Sequence, residues 1–520
     1  QNLANSARHI SQFKLPRTDC VEVKRRRVVN ATVCPSRDKG LVLGVYTSDN
    51  GIHLTDTATR YDRANGGKLT FLLGLSPAPK LGDSRLFFDV DDSFGYVAVA
   101  GLGSPCLAFD SVEQLNESKE AVRTAAAVGT KAIQDLSPST IHVESFGDAE
   151  SAAEGATLAA WKFQEYRRIS DISLVPQLYL YEDCDKTGWD VGKMKGEAQN
   201  LARYLQEMPA NLLNPTSFAK IAVELLCELD INVEVKTQGW AACHDMGGFV
   251  AAGESSVQPP LYVEAAYYGA RGEQPIVLVG KGVTFDGGSL ELKSPEELRY
   301  MRGDVAGAAV ALAAVRAAAR LRLPVNLRAS MPLCELMPSG RSPRTGDVVS
   351  RAGGGYTKVR QSSRTGRLLV ADGLTRATLR RPRFVVDIGT MSRELGECLG
   401  AAACGCYGND VRLLEHASAA SSYTGDRMWR MPLWGFYERK VTDSETADVA
   451  NASLHPYADS PNCAAFLKQY VGASKWLHLD TYNVAYSKGV DFAYLSKGMT
   501  GRPTRTLIQL ITQAMQDDTI

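Results

Sequence analysis

The sequence predicts an α/β protein of two α/β domains, a smaller N-terminal one and a larger C-terminal one with helices on both faces of a mixed sheet. Three observations carry this. Short apolar, β-branched runs alternate with helix-period segments along most of the chain, the pattern of sheets built through helical crossovers. A long helical stretch, Trp189 to Met208, ends at Pro209 and separates two such alternations. A length of 520 residues exceeds what one core ordinarily organises.

Residues 1–188 form the first predicted domain. Lys24–Arg27 (KRRR) lies beside Val21, Val23, Val28 and Val29 and reads as a strand with solvated charges rather than a nucleic-acid patch. Leu41–Tyr46 and Tyr96–Ala100 read as strands. Lys119–Leu136 is an amphipathic helix, with Val122, Ala125, Ala126, Ile133 and Leu136 near helical spacing. Ile141–Ser145 is a strand, Ala152–Tyr166 a helix and Val175–Tyr181 a strand. Residues 189–215 are a linker helix and connection.

Residues 216–520 form the second predicted domain. Asn214-Pro215-Thr216-Ser217 carries a helix start signal for a helix running to Leu229. Asn232–Lys236, Leu261–Ala266, Ile276–Val279, Asn326–Met331 and Arg383–Ile388 read as strands. Val305–Leu321, Asp372–Thr378 and Ala464–Tyr470 read as helices, and Arg351–Gly355 (RAGGG) as a turn.

Composition excludes several roles. Lys plus Arg equals Asp plus Glu at 58 each, which argues against nucleic-acid or membrane binding by the bulk surface. A neutral chain also lacks the self-repulsion that opposes dense assembly. No apolar run is long enough for a transmembrane helix. The 11 cysteines are scattered, and Cys404-x-Cys406 has no zinc-type spacing around it, which fits free thiols in a reducing compartment. The sequons at Asn30, Asn116 and Asn451 read as background in a chain of this length. No hydrophobic signal or amphipathic leader is visible after Gln1, which leaves open whether a leader was removed.

The candidate site is the turn Gly280–Lys293, GKGVTFDGGSLELK, with its continuation Met301–Ala309. It places Lys281, Asp286, Lys293 and Asp304 around one glycine-bearing turn. Asp304 opens the Ala-rich helical segment, where helix N–H groups stabilise a carboxylate. There is no G-x-S-x-G elbow, H-E-x-x-H helix or Walker loop to suggest other chemistry.

These residues resemble the signature of the leucyl aminopeptidase family of two-metal peptidases, GKG-T-FD-GG-K followed by M-R-x-D. The spacing from Lys281 to Asp286, Lys293 and Asp304 matches without a gap. Further matches are PLCELMPSG (Pro332–Gly340), TGDVV (Thr345–Val349), TGRLLVADGL (Thr365–Leu374), TGDRMWRMPL (Thr424–Leu433) and KGMTGRPTRTLI (Lys497–Ile508). The resemblance covers Trp189 to the C-terminus and implies a C-terminal peptidase-like domain. It implies Lys281, Asp286 and Asp304 as metal positions, Lys293 and Arg367 as the catalytic pair, and Met301 and Thr390 as substrate-pocket positions.

The sequence departs from the family where the second half of the metal site should be. The family's N-T-D-A-E-G-R is here QSSRTGR, Gln361–Arg367. Ser363 and Thr365 replace the metal-binding Asp and Glu, Arg364 replaces the intervening Ala, and Arg367 alone is kept. Two divalent cations held about 3.5–4 Å apart need matching charge from hard oxygen ligands, and two carboxylates cannot supply it. In the pocket, Arg393 replaces the glycine whose backbone meets substrate, and YADSPNC around Asp459–Asn462 replaces S-A-G-A-C-T.

The expectation is therefore a catalytically inactive member with vestigial site residues and no cofactor, where the family uses two divalent metals such as zinc or manganese. The alternatives are a leucyl aminopeptidase with a reduced metal site and altered specificity, or a peptide-binding module using the old cleft. In place of metals, an ion-pair cluster is expected: Lys281, with Arg364, paired to Asp286 or Asp304. Arg360 is expected to add positive charge beside it. The resemblance further implies a hexamer, as a homo-hexamer or with paralogues. Its eroded site is similar to that of aminopeptidase-like proteins of insect sperm, associated with crystalline material in sperm mitochondria. An intracellular, mitochondrial location is thus expected, with the cytoplasm as alternative.

Overall fold

The computed structural model describes residues 38–48 and 51–517. The basic run Lys24–Arg27 with its flanking valines, and the Asn30 sequon, lie outside the described residues. The chain forms two compact units. One comprises residues through Pro105 with Val122–Lys186, and the other Cys106–Ala121 with Thr187 onward.

The first unit is built on β1 (Lys39–Ser48), α1 (Asp56–Ala64), β2 (Ser84–Phe88), β3 (Tyr96–Gly103), α2 (Glu117–Gln134, whose first turn belongs to the second unit), β4 (Thr140–Glu144), α3 (Ala149–Ala160) and β5 (Gln177–Tyr181). The sheet order is β2-β3-β1-β4-β5, and a short strand Gly51–Leu54 folds back on β1. The pairs β3–β1, β1–β4 and β4–β5 are parallel. Leu41, Leu43 and Val45 alternate onto one face and pack with Val97, Val99, Tyr61 and Leu69. Helix α3 stops at Ala160, short of the expected Tyr166, because Trp161 turns extended (φ −74°, ψ 134°).

The second unit begins with α4 (Lys186–Glu207) and α5 (Pro215–Cys227). Asn214 caps α5 by accepting from Ser217 N–H at 2.9 Å, with Pro215 in the first turn. There follow β6 (Asn232–Thr237), β7 (Leu261–Tyr268), β8 (Ile276–Gly280), β9 (Gly282–Asp286), α6 (Ala306–Arg320), β10 (Asn326–Leu336), α7 (Gly366–Thr378), β11 (Val385–Gly389), β12 (Cys404–Gly408), α8 (Val411–Thr424), β13 (Met428–Arg430), α9 (Asp459–Lys468), β14 (Trp476–Asp480) and α10 (Thr504–Ala514).

The nine-stranded sheet runs β13-β12-β14-β11-β8-β10-β7-β6, with β9 beside β10. Its central pairs β14–β11, β11–β8 and β8–β10 are parallel, β10–β7, β7–β6 and β12–β14 are antiparallel, and the edge pair β13–β12 is parallel again. Val277 and Val279 join Leu368, Val370, Ala464 and Trp476 in one core, which leaves Ile276 and Leu278 for the opposite face. Helix α6 is almost wholly buried and packs on β8, β10, β11 and α10. Its first residues differ from expectation, because Met301–Val305 forms a 3₁₀ turn that carries Asp304 ahead of the α-helix.

Candidate functional site

The site forms at the carboxyl ends of the parallel strands β8 and β11, where α/β sheets open a crevice. Lys281 follows β8 directly. Its N–H donates to Ile388 O, and its C=O accepts from Ala308 N–H, both at 2.9 Å. This pins the residue between β11 and the start of α6. The approach is so close that a Cβ on Gly307 would lie 2.0 Å from Ile388 O. The Lys281 side chain passes over Gly366, where a Cβ would stand 2.8 Å from its Cε.

Lys281 Nζ donates to Asp304 Oδ1 at 2.8 Å and to Thr390 O at 2.7 Å. The Thr390 hydroxyl donates to the same Asp304 oxygen. Burial pushes the Asp304 carboxyl above its ordinary range and Asp286 adds to the rise, while Lys281 opposes it. Asp304 Oδ2 has no hydrogen-bond donor among the described residues. Asp286 ends β9. Its Oδ1 accepts from Gly288 N–H at 2.9 Å, and its Oδ2 lies 3.2 Å from Lys293 Nζ. Gly288 sits at φ 92°, and a Cβ there would come 2.4 Å from Glu291 O. Each carboxylate of the turn thus has its own ammonium partner.

The far wall is the 3₁₀ turn Ser362–Arg364 leading into α7. Ser363 donates through its hydroxyl (2.6 Å) and its N–H (3.2 Å) to Glu291 Oε2. Thr365 is buried, with its hydroxyl 3.4 Å from that of Ser289. The expected pairing of Arg364 with Asp286 or Asp304 is not found. Arg364 Nη2 instead lies 3.1 Å from Asp459 Oδ2, and Arg367 Nη2 lies 2.6 Å from that same oxygen. The reason is local: Asp459 opens α9 beside both arginines, while Asp286 and Asp304 are already matched by lysines. Burial works against ionised Asp459, but Arg367 and Arg364 outweigh it and hold its carboxyl below the usual range. Arg367 Nη1 also donates to Asn451 O at 3.0 Å.

Two more expectations are corrected. Arg360 does not add charge to the site, because its guanidinium is spent on the carbonyls of Lys440, Ala452 and Asp443. Arg393 does not join Met301 and Thr390 in lining a pocket. Its side chain is 57 % exposed, with Glu297 and Glu397 each 3.8 Å away, since a guanidinium is costly to desolvate against apolar walls.

Lys281, Asp286, Lys293, Asp304, Ser363, Arg364, Arg367 and Thr390 line one polar cavity of about 20 Å³, room for one water-sized occupant. Beside it, Tyr300, Met301, Thr390, Tyr482, Ala485 and Met499 enclose a largely apolar cavity of about 120 Å³ that Asp304 also borders. Of the residues the structure adds to the site, Asp459 stands in the sequence only as part of a replaced pocket segment, and Glu291 and Tyr482 are unmarked. A carboxylate within a segment that is small and uncharged in the resembled family was the available signal for Asp459; Glu291 and Tyr482 carried none.

A two-domain α/β scaffold with a lysine–carboxylate turn at its strand ends defines a protein of the aminopeptidase class. The catalytic-domain model of the cytosol aminopeptidase family matches residues 200–508, and that family's N-terminal-domain model matches 42–170. The chain belongs to the cytosol aminopeptidase family. It is 39% identical to the cytosol aminopeptidase of Xenopus tropicalis over 92% of this chain and 93% of that one. It is 38% identical to the Homo sapiens cytosol aminopeptidase with the same coverage. Among solved structures it is similar to the bottromycin maturation enzyme BotP, with TM-score 0.79 and 29% identity over 92% of this chain and all of that one. A manganese complex of that enzyme aligns with TM-score 0.78.

The family implies two divalent metals, and the residues present do not fit them. Among the described residues, no three His, Cys, Asp or Glu side chains come together to hold an ion. Only Asp286 and Asp304 remain of the family's carboxylate ligands, too little negative charge for two divalent cations. Ser363 and Thr365 present neutral hydroxyls, and the guanidinium of Arg364 lines the cavity.

Proposed function

We propose that this chain is an aminopeptidase-fold protein that does not turn over peptides and serves a structural or assembly role. The observation that carries this reading is the pair of replaced ligands. Ser363 and Thr365 bring neutral hydroxyls, set beside Glu291 and Ser289, where the family has carboxylates, and the guanidinium of Arg364 lines the same cavity. Net neutrality favours close packing of copies, and the assembly proposed is a hexamer of this chain alone or with paralogues. The proposed location is intracellular, in sperm mitochondrial crystalline material, with the cytoplasm as alternative. No helix of the described residues is long and apolar enough to cross a membrane. The test is hydrolysis of leucyl-p-nitroanilide by purified protein with added zinc, manganese or magnesium, alongside metal content. No turnover and under a tenth of a metal per chain are expected. Metal-stimulated turnover that Lys293→Ala abolishes would sink the reading.

A second reading is a metal-dependent aminopeptidase with a reduced site. It is favoured by the unpartnered Asp304 Oδ2 beside an apolar cavity and by the cytosol aminopeptidases among the relatives. One tightly held metal per chain with measurable turnover would select it.

A further inference from the structure

Two guanidinium groups converge on one oxygen of Asp459; Arg367 also donates to Asn451 O and Ser392 Oγ, and Arg364 Nη2 stands 4.0 Å from Glu394 Oε1. We infer that Arg364 and Arg367 form a slot for a monocarboxylate, and that the chain fills this slot with its own Asp459. This rests on the reading that the site turns nothing over, since it removes Arg367 from contact with any incoming group.

The charge inventory supports it. The polar cavity is lined by Lys281, Lys293, Arg364 and Arg367 against Asp286 and Asp304. The lysines and the two aspartates match one to one. Both arginines are left, and among the described residues Asp459 is the carboxylate they share, with Glu394 a more distant partner of Arg364 at 4.0 Å. Without it, two cationic groups would face each other in a partly dry pocket, a costly arrangement.

Arg367 also shows that Asp459 is an imperfect occupant. Its side chain is 2 % exposed, yet its Nε has no acceptor among the described residues. A guanidinium fork is best met by two carboxylate oxygens in parallel. Here Asp459 Oδ2 serves both arginines, and the backbone of α9 sets where the carboxylate can reach. That backbone enters α9 through Ala458 in the left-handed region, at φ 59°. An untethered carboxylate of the same size could turn both oxygens to the fork. Asp459 is thereby an internal ligand that closes the arginine end of the cleft.

Asp459→Ala removes three heavy atoms, which formate replaces atom for atom, so formate is the probe. The melting midpoints of wild type and Asp459→Ala are compared in sodium formate and in sodium chloride at equal ionic strength. The variant should melt several degrees below wild type in chloride. Formate should restore most of that loss in a saturable way while leaving wild type unmoved. Adding Arg364→Ala to the variant should abolish the restoration. Asp459→Asn, whose amide still fills the slot, should melt lower without answering to formate. If Asp459→Ala is insoluble, the yield of refolded protein in formate against chloride is the readout. Equal formate shifts in wild type and variant, or an undiminished shift without Arg364, would overturn the inference. None of these measurements reads peptide hydrolysis, so activity found in wild type would fail the inactive reading separately.

Discussion

Lys281 Nζ stands 2.8 Å from Asp304 Oδ1, with each side chain only 6 % exposed. A buried pair of this kind contributes less than its distance suggests, because desolvation offsets most of the attraction. Breaking it is another matter. Lys281→Ala would leave Asp304 buried near Asp286 with no cation, and a loss of about 3–5 kcal/mol in urea unfolding is expected. Lys281→Met with Asp304→Leu should recover most of that loss. A single variant within about 1 kcal/mol (roughly a tenth of typical stability) of wild type would show the pair to be solvated.

Ser363 and Thr365 set the second expectation. Ser363→Asp with Thr365→Glu restores two carboxylates, but Arg364 still lines the cavity. The double variant should take up little manganese by calorimetry. The triple variant with Arg364→Ala should bind it measurably, and its uptake should weaken as pH falls and the carboxylates protonate. Failure of the triple variant to bind would place the obstruction in the lysines.

Glu144, buried at the end of β4, accepts from Gly44 N–H at 2.9 Å. Burial pushes its carboxyl up to about 7, against the pull of Thr55 and Gly44. Folding therefore favours its protonated form. The contribution is whole below the unfolded value near 4.5 and is lost as pH rises through about 7. Asp372, raised to about 7 chiefly by burial, acts in the same sense. The urea midpoint should fall between pH 5 and pH 8. Glu144→Gln should flatten that fall, by an amount on the order of 3 kcal/mol at most. A variant whose pH profile parallels wild type would refute the assignment.

Gly307 is fixed by space rather than by conformation. Alanine is the better helix former by about 1 kcal/mol, yet its Cβ would stand 2.0 Å from the Ile388 carbonyl, which is backbone and cannot swing aside. Gly307→Ala should cost about 1–3 kcal/mol net and lower the melting temperature. Gly66, with open space around its Cβ direction but φ 69°, should lose less on the same change. The reverse order would show that α6 slides freely on β8 and β11.

Apolar alternation and helix caps determine the elements: Leu41–Val45 is a strand and Asn214-Pro215 starts a helix whatever surrounds them, because both signals act within a few residues. The Lys281–Asp304 turn is legible in the same way, since its glycines and spacing bring the groups together through a short piece of chain. The replacement of two carboxylates by Ser363 and Thr365 is likewise plain in the sequence. Only the tertiary structure decided where the cations went. Arg364 had aspartates 60 and 78 positions earlier in the chain and another 95 positions later, at Asp459, and it took the later one. That choice depends on α9 standing beside α7 and on lysines having already neutralised the nearer acids. Long side chains reach across the fold, so the partner of a charge is settled by packing, which no local pattern encodes.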